Sequence, residues 1–212
     1  VLNTDADNAE ATSSGLTAFN SDGYDMGTYY NQSGDSYVSW NWKINGATTS
    51  TETAGTINTT VQVDADRGIS IIQYVGDGGS SDWSLAHGLG ASPEFLLRKD
   101  RDSNSNNNNW GAWHTGMGFG QYIWFSETAA SAASTKSSVK AVTSTLIEFN
   151  RSDTTGGNAT WGESGDNYVN YAFVGKEGFS KFGSYEGNGN ADGSFIYTGF
   201  RPAWIITKSI DS

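Results

Sequence analysis

One long motif occurs twice in this chain, and that repetition restricts the fold more than any other feature. The later copy is 178–208, GFSKFGSYEGNGNADGSFIYTGFRPAWIITK. The earlier copy is 68–99, GISIIQYVGDGGSSDWSLAHGLGASPEFLLRK. Gly68, Tyr74, Gly76, Gly78, Gly88, Pro93, Phe95 and Lys99 answer Gly178, Tyr185, Gly187, Gly189, Gly199, Pro202, Trp204 and Lys208. Each copy reads as two strands joined by Gly/Asn/Asp turns. The likeness continues outside the motif. Phe19-Asn20 answers Phe149-Asn150, and Gly34-Asp35-x-Tyr37-Val38 answers Gly165-Asp166-x-Tyr168-Val169. A Thr/Ser-rich connector, 44–55, has no counterpart between Val174 and Gly178 and accounts for the change in spacing.

The repeat divides the chain. Residues 56–174 form one complete unit, 1–43 match the closing half of a unit, and 178–212 match the opening half. Residues 178–208 are therefore expected to pack with 16–43, within one chain or between neighbours.

Local patterns agree with strands. Residues 56–64 alternate Ile57, Thr59, Val61 and Val63, the period of a half-buried strand. YVSWNWK (37–43) and YVNYAFV (168–174) are further strands, as are 16–20, 68–75 and 146–150. The Phe95-Leu96-Leu97 run predicts a strand buried on both faces. Trp110–His114 and Gln121–Ser126 read as a hairpin around Gly116, Gly118 and Gly120. Ala129–Ala133 is too short for a stable helix. With 27 Gly, 2 Pro and few good helix formers, the fold class expected is an all-β, antiparallel, jelly-roll-like sandwich built from an internal repeat.

Charge and composition exclude several functions. The formal net charge is −11 and no Lys/Arg cluster exists, so nucleic acid is not an expected partner. There is no Cys, hence no disulfide, thiolate metal site or Cys nucleophile. No apolar run reaches the roughly 20 residues of a membrane-spanning helix. Val1–Glu10 lacks a basic and then apolar leader pattern. The chain opens without Met, and a segment of a longer polypeptide is expected.

Motifs for chemistry are sparse. His87 and His114 have no metal-ligand spacing, and His87 precedes a tight Gly88-Leu89-Gly90 turn. Asp64-x-Asp66-x-Gly68 and Asp5-x-Asp7 resemble fragments of calcium loops without the full ligand set, so no cofactor is expected and calcium between loops stays open. A glycosidase pair would have to come from Glu94, Glu127, Glu148, Glu163, Glu177 and Glu186, none in a distinctive motif. No nucleophile elbow or phosphate loop is present. The eight Trp are the unusual feature. Strand-borne Trp40 and Trp204 read as core. Loop-borne Trp83, Trp110 and Trp161, beside Ser80–Trp83, Asn104–Trp110 and Thr154–Trp161, are the candidates for stacking on sugar rings.

Residues 16–23, 34–43, 56–78, 87–99 and 178–208 together resemble a repeat domain of unknown function found in virion proteins of tailed marine bacteriophages. The resemblance covers most of the chain outside 44–55, 103–109 and 151–163, and it brings no catalytic residues. It implies a non-enzymatic, β-rich tail-fibre or surface protein for structural display and host attachment. Its place would be the virion surface. Its partners would be copies of itself (a trimer, as fibre-like phage proteins commonly are), other virion proteins, and a host-surface glycan or protein. A capsid-decorating protein is the nearest alternative. A secreted carbohydrate-binding module or glycan-active enzyme is the alternative from another class.

Overall fold

The computed structural model describes residues 2, 8–12, 15–45, 48–79, 81–102, 109–133, 138–150 and 161–211. Among them there is no α-helix, and strands carry the fold. The strands are β1 (Leu16–Phe19), β2 (Tyr24–Met26), β3 (Ser50–Glu52), β4 (Thr59–Asp64), β5 (Ile69–Val75), β6 (Trp83–Ala86) and β7 (Phe95–Asp100). They continue as β8 (Gly111–His114), β9 (Gln121–Trp124), β10 (Ala132–Ala133), β11 (Val139–Val142), β12 (Leu146–Phe149) and β13 (Asn167–Phe173).

An eight-stranded sheet runs β10-β9-β8-β7-β13-β5-β4-β3 and faces a three-stranded sheet, β11-β12-β6. The named strand pairs are all antiparallel, so the expected all-β sandwich is the observed one. β13 is the middle strand. It pairs along its whole length with β5, from Asn167↔Val75 to Phe173↔Ile69, and with β7, from Tyr168↔Asp100 to Phe173↔Phe95.

Alternation explains the core. Ile72, Tyr74, Leu96, Trp113, Tyr168 and Ala172 point inward from the large sheet and meet Trp83, Leu85, Ile147 and Phe149 from the small one. Phe149 stacks on Trp83, with ring centroids 4.1 Å apart, and touches Trp161 at 5.4 Å. On the outer face Phe95 gathers Phe173, Phe182 and Phe125 at 5.6, 5.9 and 6.2 Å. Leu96 is wholly buried while Phe95 and Leu97 are half-buried, so both faces of β7 are covered unequally.

Several elements differ from the sequence reading. Trp83–Ala86 is a strand, not part of a loop. All four of its residues are buried, which removes the alternation that marks a strand. Ser50–Glu52, expected in an exposed connector, forms the edge strand β3. Ala132–Ala133, too short for a helix, pairs with β9 as β10. Residues 24–26 pair with 16–19 across the Asp22-Gly23 turn. Conversely, 37–43 and 178–208, expected as strands, belong to no sheet.

Phe149 has two aromatic neighbours and no exposure. Phe149→Ala should lower unfolding free energy in urea by about 3–5 kcal/mol. A loss below about 1 kcal/mol would show that this aromatic layer does not hold the sheets together.

Candidate functional site

The register of the three central strands fixes where their loops meet. β5 ends at Val75, β13 begins at Asn167 opposite it, and β7 ends at Asp100 beside Tyr168. The segments after β5, after β7 and before β13 therefore leave from one end of the sandwich. Backbone bonds tie them together. Gly76 N donates to Asp166 O at 2.9 Å, Gly165 N to Gly76 O at 2.9 Å, and Gly78 N to Gly162 O at 3.2 Å. Asn167 donates its N and Nδ2 to Asp102 Oδ2 at 2.5 and 2.9 Å. Gly76 is obligatory at this crossing, because a Cβ there would run into the Glu163 carbonyl.

Trp83, Trp110 and Trp161 all sit at the bases of these loops, and none is more than 5% exposed. Trp83 lies on Phe149, Trp110 stacks on Tyr171 at 6.3 Å, and the Trp161 carbonyl accepts from Tyr74 Oη at 2.7 Å. This corrects the expectation of free stacking platforms: burial at the loop bases leaves no ring face for a sugar. Ser80, Asn104–Asn108 and 154–160 lie outside the described residues.

Arg98, unnoticed in the sequence, is buried between aromatic faces. Its guanidinium carbon lies 5.0 Å from the Tyr168 ring centre and 5.6 Å from that of Trp161. A cation over two rings gains attraction that grows as water is removed. A charged residue inside the apolar run FLLRK was the available signal.

The loop end is acidic. Burial, with Asp100, Glu163 and Asp102 nearby, pushes the Asp166 carboxyl up to about 6. Asp166 N donates to Glu163 O at 3.3 Å, which keeps the two residues together at this end. Among the described residues no three His, Asp or Glu side chains are grouped to hold a metal ion. Asp64 instead accepts from Arg67 N and Nη1 in the β4–β5 turn, and Asp5 and Asp7 lie outside the described residues.

Both histidines have local structural partners. His87 Nδ1 accepts from Leu89 N at 3.2 Å, and its Nε2 faces the Thr143 carbonyl at 3.2 Å. His114 Nδ1 accepts from Gly116 N at 2.9 Å. Burial lowers the pKa of each ring.

Beside the loop end an open groove of about 220 Å³ runs over β4, β5 and the start of β13. Its lining includes Asn58, Thr60, Gln73, Val75, Arg101 and Asn167. The exposed amides of Asn58 and Gln73 and the Thr60 hydroxyl offer donors and acceptors matched to sugar hydroxyls, while Arg101 is held by Glu10 at 2.6 Å and Asn167 by Asp102. The sequence concealed these residues because a solvent-facing polar residue is ordinary at alternate positions of a strand.

A family model described as a domain of unknown function, DUF7483, matches residues 1–212. The chain belongs to this family. No curated protein and no solved structure matches it.

In this DUF7483 domain the raised Asp166 carboxyl has a measurable consequence. Its proton is held more tightly folded than unfolded, so its stabilising contribution is complete below pH about 4 and fades as pH rises through about 6. Asp166→Asn should therefore gain stability relative to the parent as pH rises from 4 to 7. A difference in melting temperature that stays constant over that range contradicts the assignment.

Proposed function

We propose that this chain is a non-enzymatic structural protein of a bacteriophage virion surface, of the tail-fibre kind, which attaches to a host-surface glycan. The observation that carries the attachment role is the polar groove beside the joined loops. Hydroxyl-rich ligands are held by directed hydrogen bonds, and Asn58 and Gln73 place two amides beside the Thr60 hydroxyl along one opening. The aromatic residues give the rigid support beneath, since Trp83 and Trp161 are packed against Phe149. Loops positioned by such a scaffold are where recognition concentrates. The virion setting rests on the sequence resemblance. The β3 and β10 edges of the large sheet lack a further strand among the described residues, which favours assembly with copies of itself or other virion proteins.

Labelling virions with an antibody to this chain and binding the purified protein to host cells test the two parts. Tail label, with binding competed by purified surface polysaccharide, is the expected result. Asn58→Ala with Gln73→Ala should reduce that binding at least tenfold and leave the melting temperature within about 2 °C, as for solvent-facing substitutions. Capsid label would replace the tail-fibre reading by the decorating one. Unchanged binding in the double variant would remove the groove as the attachment site. Release of new reducing ends from the polysaccharide would overturn the non-enzymatic reading.

A further inference from the structure

The exposed large hydrophobic residues are not scattered. Of seventeen among the described residues, seven lie in 16–43 and eight in 178–208. These are the two stretches that answer buried parts of the sandwich in sequence. Phe149 is 0% exposed and its counterpart Phe19 82%; Val169 is 5% and Val38 79%; Leu96 is 0% and Ile205 70%. The same side chains that make a core in one place are bare in the other. Large apolar side chains left exposed in such numbers mark a surface awaiting a partner.

We propose that 16–43 and 178–208 are the two halves of a second sandwich that closes within one chain. Strand 37–43 enters between 178–185 and 204–208, antiparallel to both, as β13 enters between β5 and β7. One contact of that arrangement already exists. Trp42 and Trp204 meet edge to face, ring centroids 5.9 Å apart. Their counterparts are Phe173 and Phe95, which are register partners in the β13–β7 ladder and lie 5.6 Å apart. A second position agrees. Asn170 pairs with Arg98 in that ladder, and their counterparts Ser39 and Thr207 are both short and hydroxylic. A large buried cation and its neighbour are thus replaced together by a pair that fits without them.

The occupant comes from the same chain because both halves are anchored on the same body. Phe182 lies on Phe95, and Ser131 N donates to Ile210 O at 3.0 Å. On the other side Gln62 Nε2 donates to Ile44 O at 2.5 Å. Anchoring two segments on one scaffold makes their encounter intramolecular, which outcompetes a second copy at ordinary concentrations. In the present structure no backbone hydrogen bond joins 37–43 to 178–208 among the described residues. This closure is independent of the attachment role of the loop end.

The chain has no Cys, so introduced thiols report cleanly. The mirrored register pairs Ser39 with Thr207 and Trp40 with Ile206. Adjacent antiparallel pairs have Cα separations near ~5.5 and ~4.5 Å, both within disulfide reach. The variants are S39C/T207C and W40C/I206C, with V38C/I205C as an out-of-register control. Mild oxidation of dilute full-length protein should give an intrachain disulfide in at least one register pair, with most of the protein migrating as cross-linked monomer. The control should stay reduced. Disulfide-linked dimers would overturn closure within the chain and assign the strand to a second copy. No cross-link in either pair, or equal cross-linking of the control, would overturn the mirrored register.

Discussion

The backbone ladder of β13 is the interaction on which the rest of the structure depends. This strand is paired over seven residues with β5 and over six with β7. Those strands are distant in sequence from it, so the middle of the sheet cannot form until the chain from Ile69 to Phe173 has been gathered. Its side chains then organise both faces. Tyr168 and Ala172 reach the inter-sheet core, while Tyr171 and Phe173 receive Trp110 and the Phe95 cluster outside. The same register delivers three loops to one end. Site and core are consequences of one pairing.

Electrostatics at that end follow from burial. Arg98 has lost water but gained two ring faces, which offsets part of the desolvation cost. Asp166 has lost water among other carboxyls and responds by holding its proton. The buried tryptophans and the crowded Gly76 keep the loop bases close together. An exposed polar groove can then keep its shape beside them.

Much of this was legible where one face of a strand is wet. The alternation in 56–64 gave β4, and the strands read at 68–75 and around Phe95-Leu96-Leu97 are β5 and β7. What failed was the reading of burial from local context. Trp83 looked loop-borne because Gly and Ser precede it, yet WSLA is buried throughout. Trp110 and Trp161 adjoin polar runs and are buried all the same. The groove was invisible because Asn58, Thr60 and Gln73 come together only through the β4–β5 register. YVSWNWK and YVNYAFV carry one pattern, but only the second has both neighbours paired to it in this structure. Periodicity specifies which face a residue takes once a strand is paired; it does not supply the partner.

Native-state hydrogen exchange, resolved by residue, tests the central role of β13 most directly. The amides of Tyr168–Ala172 and of their partners in β5 and β7 should be the slowest in the molecule and should exchange through global unfolding. Those of the edge strands β3 and β10 should exchange much faster, through local opening. Amides of β13 that exchange as fast as those of β3 would contradict the account.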